Sequence, residues 1–239
     1  MKSLVLITTY NEIDNIEDLI ALVYDHQPDI HILVIDDSSP DGTGECVTRL
    51  MKEKYDGKLF LLTNPKKMGT GAAYITGFKW ALQRDYELIF ELDGDFSHNP
   101  KYLKTFIETA KEYDVILGSR YIKDGGITNW NWLRRFISRG GSFYSQIILG
   151  LPYKDLTGGY KCFRRKVIES INLDEVYSTG YSFQIEMTYR SHLLGFKIKE
   201  VPIIFEERRE GQSKMDSSII FEAIWKVFKL RSIKKSYGK

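Results

Sequence analysis

The chain has 239 residues, of which 43% are hydrophobic, and it sets 34 basic side chains against 32 acidic ones for a net charge of +2. That length buries a substantial core in one large or two small α/β domains, and one compact catalytic domain is the expectation. The near-balance of charge excludes the global positive field of a nucleic-acid binder, so any cationic function has to be local.

Residues 1–9 lead from a single lysine into a short β-like run, without the apolar stretch and cleavage site of a signal peptide, so a cytoplasmic location is expected. From there β-branched runs alternate with helical patterns: strands at 4–8, 30–35, 59–62 and 88–92, each followed by a helix, at 13–24, 44–55, 71–82 and 101–113. This βαβα order predicts a mostly parallel sheet flanked by helices. After a further strand at 115–119 the alternation fails, and paired glycines at 125–126, 140–141 and 158–159 break up a region read as an acceptor-binding part. A last strand is predicted at 198–205 and a terminal helix at 217–236. No uncharged apolar run approaches the ~20 residues needed to cross a bilayer. The nearest, 140–153, contains Ser142, Ser145, Gln146 and Pro152. Cys46 and Cys162 stand far apart with no Cys/His cluster, which argues for reduced structural thiols.

In open α/β sheets ligands bind beside the carboxyl ends of the strands, so the loops at 9–14, 36–43, 64–69 and 93–100 are where chemistry is sought. The fourth strand runs directly into Asp93-Gly94-Asp95. Two carboxylates one residue apart suit a hard divalent cation that completes its shell with phosphate oxygens and water. Taken alone, Asp and Gly there are equally good turn formers. A second acidic pair, Asp36-Asp37, opens the loop Ser38-Ser39-Pro40-Asp41-Gly42-Thr43 and can bind a base or ribose, or simply cap the next helix. Thr9-Tyr10-Asn11-Glu12 repeats the arrangement after the first strand. Three acidic loops at three strand ends exceed what turn formation needs.

With Gly118-Ser119-Arg120-Tyr121, Asp93 through His98, and Arg208, Gly211, Ser213 and Lys214 added, these motifs run in order along almost the whole chain. In that combination the sequence resembles the family 2 glycosyltransferases and, within them, the dolichyl- and polyprenyl-phosphate mannose synthases. The resemblance implies a GT-A fold, Mg²⁺ or Mn²⁺, and inverting transfer of mannose from GDP-mannose to a dolichyl or polyprenyl phosphate. It also implies a single catalytic domain over 1–214, with a nucleotide-sugar half at about 1–120 and an acceptor half at about 121–214, followed by a basic amphipathic helix at 215–239.

Carried over by position, Thr8, Tyr10, Glu12, Ile35 and Asp37 would line the nucleoside pocket. Asp93, Gly94 and Asp95 would meet the diphosphate, with Asp95, Ser97 and Asp93 as metal ligands, and Arg208 and Lys214 would close over the donor. Arg120, Arg134 and Ser138 match the acceptor-phosphate positions, so Asp95, Arg120 and Arg134 carry the catalytic expectation. Gly94 stands where relatives often carry Ala, and Thr8 replaces a frequent Pro. Arg134, Arg135 and Arg139 also read as a solvated helix face, and His98 as a capping or supporting residue.

A lipid phosphate is already anionic at neutral pH, so the reaction needs cations to join two anions rather than a strong base. The terminal helix sets Ile220, Ala223, Ile224, Val227 and Phe228 against a strongly basic remainder, a pattern equally suited to an anionic membrane surface and to a docked helix with a basic tail. Trp130, Trp132, Phe136, Phe143 and Tyr144 would line a membrane-facing groove or belong to the core. Peripheral attachment to the cytoplasmic face of a membrane is expected, with an anchoring partner protein possible. The nearest alternative keeps the fold with UDP-glucose as donor. A nucleotidyltransferase and a non-catalytic binding module are the alternatives from other classes.

Overall fold

The computed structural model describes residues 1–128, 132–206 and 217–237. Its strands are β1 (Ser3–Thr9), β2 (His31–Asp36), β3 (Leu59–Thr63), β4 (Leu88–Asp93), β5 (Val115–Ser119), β6 (Gly126–Ile127), β7 (Lys161–Arg164), β8 (Ile198–Pro202) and β9 (Ile204–Phe205). The helices are α1 (Ile13–His26), α2 (Thr43–Glu53), α3 (Thr70–Leu82), α4 (Leu103–Thr109), α5 (Trp132–Leu149), α6 (Arg165–Ser170), α7 (Gly180–Leu193) and α8 (Ser217–Leu230). Seven strands form one sheet in the order β3-β2-β1-β4-β7-β5-β8, parallel throughout except β7, which runs against both neighbours.

Strand β1 shows why this sheet is covered on both faces. Leu4 and Leu6 pack beneath α3, while Val5 and Ile7 pack beneath α1 and α2, all fully buried. Helices α1, α2 and α4 cover one face, and α3, α6 and α7 the other. A smaller apolar cluster joins the end of α5 to α7 and α8 through Leu149, Ile185, Tyr189, Val227 and Leu230.

Three predicted elements change, and one strand of the main sheet was not foreseen. The strand expected at 198–205 is two strands, because Pro202 has no N–H to continue the ladder and Ile204–Phe205 turns away to pair with β6. The helix expected at 101–113 begins with a 3₁₀ turn, Pro100–Tyr102, capped by the Asn99 side chain, and α4 itself ends at Thr109. The terminal helix stops at Leu230 and continues as a 3₁₀ segment, Arg231–Tyr237. Strand β7 was not predicted, and it matters most. Being antiparallel, it starts at the edge where β4 and β5 end, and so delivers Thr157, Gly158 and Gly159 to the place where ligands bind.

Candidate active site

The loops after β1, β2 and β4 meet at the carboxyl edge of the sheet. Each holds one non-glycine residue in the left-handed region, Asn11 at φ 61°, Ser38 at 55° and Phe96 at 63°. Such conformations cost on the order of 1–3 kcal/mol each and persist only where surrounding contacts fix them. Here the contacts are hydrogen bonds between the loops. Asp36 accepts from Thr9 Oγ1 at 2.9 Å and from the Ser39 amide at 2.9 Å, and Asn11 N donates to Ser39 Oγ at 2.9 Å. Asp41 accepts from the amides of Ile13 and Thr43, so one carboxylate caps both α1 and α2. Burial pushes its pKa up, but these bonds and the Thr43 hydroxyl outweigh that and hold it below the usual range.

The expected nucleoside residues gather here, with different freedom to bind. Asp37 is buried, and its carboxylate accepts from Asn64 Nδ2 at 2.8 Å, Met68 N at 3.0 Å and Gly69 N at 2.8 Å, which fixes the β3–α3 loop. That loop carries Lys67, whose ammonium lies 3.7 Å from the centre of the half-buried Tyr10 ring. Glu12 accepts from Asn15 Nδ2 at 2.9 Å. Ile35 is fully buried beneath α3, so only its backbone is available to a nucleoside.

At the end of β4, Asp93 is partly open and Asp95 is 5% exposed. Asp95 Oδ1 accepts from Ser97 N at 3.0 Å. Ser97 Oγ is buried with no hydrogen-bond partner. Two carboxylates and this hydroxyl offer only oxygen atoms, the ligand type that a hard divalent cation takes when one or two protein carboxylates hold it and phosphates fill its shell. Gly94 is tightly placed, since a Cβ there would lie 3.2 Å from Thr8 O and 3.3 Å from Thr9 Cγ2. Asp93 is flanked on both sides, by the fully buried Tyr74 hydroxyl at 3.3 Å from Oδ1 and by His98 Nδ1 at 3.5 Å from Oδ2. Burial lowers the His98 pKa and raises that of Tyr74 well above its ordinary value, so both are neutral near pH 7.

Arg120 is held differently from expectation. Its Nε and Nη2 each donate to Asp155 at 2.7 Å, its backbone N–H donates to the same carboxylate at 2.9 Å, and Nη2 also reaches Thr157 Oγ1 at 2.9 Å. Both partners are buried. Desolvation pushes the Asp155 pKa up, but the Arg120 charge and hydrogen bonds outweigh it and leave the carboxyl below its usual range. Asp155 N donates in turn to Glu200 Oε1 at 2.9 Å, which also accepts from Ser119 Oγ. The adjacent Tyr121 donates from its hydroxyl to Ser138 Oγ at 2.7 Å, tying this wall to α5, and Arg134 is half-buried one turn earlier on that helix. Glu206 N donates to Ser97 O at 3.3 Å, which puts the chain entering 207–216 beside the acidic loop. Arg208 and Lys214 themselves lie outside the described residues, as does Trp130.

Sequence reading missed Tyr74, Asp155, Thr157 and Gly159. All four reach the site through tertiary contacts made by α3 or by the antiparallel β7, and no local motif marks them.

A mostly parallel, doubly covered sheet with acidic loops gathered at one strand edge and a carboxylate pair ending β4 defines a GT-A nucleotide-sugar transferase. Residues 4–171 match glycosyl transferase family 2, and the chain belongs to that family. It is 42% identical over 224 residues to the undecaprenyl-phosphate mannosyltransferase of Micrococcus luteus, covering 94% of this chain and 91% of that one. It is also 42% identical over 227 residues to the polyprenol monophosphomannose synthase of Mycolicibacterium smegmatis, covering 95% of this chain and 85% of that one. Among solved structures, the mannosyltransferase of Pyrobaculum calidifontis in complex with GDP-Man and Mn²⁺ superposes with a TM-score of 0.61 at 14% identity, covering 99% of this chain and 73% of that one.

Proposed function

We propose that this glycosyltransferase moves mannose from GDP-mannose to the phosphate of a polyprenyl or dolichyl lipid, inverting the anomeric carbon and releasing GDP. The observation that carries the reading is the 42% identity, along nearly the full chain, to two proteins named for mannose transfer to such lipids. In this reading residues 1–214 form one catalytic domain and α8 belongs to the membrane-facing side.

Tyr10, Glu12 and the Asp37-anchored loop hold the nucleoside, with Thr8 and the Ile35 backbone as floor. Asp93, Asp95 and Ser97 would hold Mg²⁺ or Mn²⁺, which when bound neutralises charge on the departing diphosphate. Arg208 and Lys214 close over the donor. The acceptor phosphate arrives already ionised and needs no protein base. Arg134 and Ser138 bind it from α5. Arg120, with its fork on Asp155, sets the wall from which Tyr121 positions Ser138.

We also propose a peripheral location at the cytoplasmic face of a membrane, and the surface of α5 and α8 supports its peripheral part. Among the described residues no helix is long and apolar enough to cross a bilayer. Helices α5 and α8 pack together, Tyr144 donating to Ile224 O at 3.2 Å, and expose Trp132, Phe136, Phe143, Ile147, Trp225 and Phe228 to the outside. Exposed Arg135, Arg139, Lys229 and Lys234 lie on or after the same helices, as an anionic lipid surface requires. The inner side of α8, through Val227 and Leu230, belongs to the core. An anchoring partner protein remains compatible with the same surface.

The test is donor competition. With divalent cation present, GDP-mannose and GDP are expected to bind in the same site and UDP-glucose to compete weakly. Preference for UDP-glucose, with glucosyl product on a short polyprenyl phosphate, would overturn the mannose assignment and leave the fold untouched.

A further inference from the structure

The Asp93 carboxylate sits in a cradle that its own loop makes only in part. Tyr74 lies on α3, four residues after the helix start, fully buried, with its ring stacked on Phe183 of α7 at 6.0 Å between centroids. Its hydroxyl reaches Asp93 Oδ1 at 3.3 Å. Thr8, which pairs with Asp93 across β1 and β4, lies beside that hydroxyl. On the opposite side is His98, and the backbone of Gly159 closes the space between them. A Cβ at 159 would meet Asp93 Oδ2 at 3.2 Å, His98 Cε1 at 3.3 Å and Asp93 Oδ1 at 3.4 Å. So α3 and the approach to β7, both distant in sequence, join the loop after β4 around one side chain.

We propose that Tyr74 is a positioning residue for the acidic centre, its hydroxyl steering the Asp93 carboxylate into the orientation that cation and donor diphosphate require, with Thr8 orienting the hydroxyl. The proposal rests on the reading of Asp93 and Asp95 as the cation and diphosphate site. A carboxylate at a strand end can rotate about its last bond, and each orientation lost on binding weakens the complex. A fixed donor on one oxygen removes that freedom beforehand. Partners of this kind, one shell out from a ligand, typically govern about 10- to 100-fold in metal affinity. The 3.3 Å contact is long for O–H···O, as hydrogen bonds of unliganded sites often are, and is expected to shorten when the site fills. Threonine at position 8 places a side-chain hydroxyl beside Tyr74, which a proline there would not supply.

The experiment measures Mn²⁺ affinity by electron paramagnetic resonance, with GDP present, for the wild type, Tyr74→Phe, Thr8→Val and Asp95→Asn, alongside thermal unfolding of each. Tyr74→Phe keeps the ring stack and removes only the hydroxyl, so an unfolding midpoint near that of the wild type is expected, with Mn²⁺ affinity lowered about 10-fold. Thr8→Val should show a smaller loss in the same direction, and the KM for GDP-mannose should rise in parallel. If Tyr74→Phe binds Mn²⁺ as tightly as the wild type, Tyr74 is only a core residue and the proposal falls. A lowered unfolding midpoint with unchanged Mn²⁺ affinity overturns it equally. Should the wild type bind no Mn²⁺ with GDP, or Asp95→Asn bind it normally, the acidic-site reading itself fails.

Discussion

The proposed donor side and the proposed acceptor side of this molecule are built on opposite plans. On the donor side, the loop after β2 presents carboxylates that tie it to its neighbours, Asp36 to Thr9, Asp37 to Gly69 and Asp41 to Ile13, so that all three are engaged before any ligand arrives. On the acceptor side, Arg134 and Ser138 sit on one helix, α5, whose other stripe is bare aromatic surface, Trp132 being 76% exposed. The contrast matches what each side would handle. A nucleotide sugar is small, charged and the same at every turnover, and a rigid site with its ordering cost already met binds it well. A polyprenyl chain is too large and apolar to enclose, and an open face against a lipid phase leaves the chain where it already resides.

Asp95→Asn breaks the donor side and carries the largest expected effect. Turnover should fall at least about 10²-fold in a folded protein, since in the proposed reading the carboxylate would hold the cation that offsets charge on the departing diphosphate. Circular dichroism with single-turnover kinetics checks this, and full activity would remove Asp95 from the chemistry.

Arg120→Ala tests the boundary between the sides. It strands Asp155 in the interior, and breaking a buried pair costs about 3–5 kcal/mol, measured by urea unfolding. In the wild type the Asp155 pKa is depressed, so its stability contribution is complete above the unfolded value of about 3.9 and disappears as pH falls through the folded value. Without Arg120, burial alone would raise that pKa. The stability gap between variant and wild type should therefore be widest near neutrality and narrow on acidification. A gap independent of pH would mean that the ion pair is not what Arg120 contributes.

The acceptor side is sharpened by Trp132→Ser together with Trp225→Ser. Partition onto vesicles containing anionic phospholipid should drop severalfold, with GDP-mannose affinity unchanged and transfer to a short water-soluble polyprenyl phosphate nearly normal. Sedimentation of the wild type independent of anionic lipid would assign these aromatics to another partner. The smallest effect is expected for Lys67→Ala, which should weaken GDP-mannose binding a few-fold by removing the cation stacked on Tyr10.

Legibility in the sequence follows the same division. The parallel strands and their helices were readable because each strand is a continuous apolar run and each loop carries Asp, Gly or Asn, signals confined to a few neighbouring residues. Asp93, Asp95 and the Asp36-Asp37 loop were found that way. Strand β7 escaped because it is four residues long, includes Lys161 and Arg164, and pairs with strands some 45 and 70 residues away in the chain. With it went Asp155 and Gly159, whose roles depend on what β7 brings beside Asp93 and Arg120. Arg120 itself was found by motif, but its partner was not, and only the partner reveals that its fork is already engaged. Buried Glu91 and Lys161 were also unmarked. They pair in register on β4 and β7, where burial raises the Glu91 pKa and lowers that of Lys161, each partly offset by the other's charge.

The most direct measurement is the structure of the product. The purified protein, GDP-mannose, a short polyprenyl phosphate and Mg²⁺ or Mn²⁺ are incubated, and the lipid product is examined by mass spectrometry and by NMR at the anomeric carbon. One mannose per lipid phosphate, with inverted configuration and one GDP released for each, is the expected result. Release of pyrophosphate, retention of configuration, or donor binding without any mannosyl lipid would contradict the assignment.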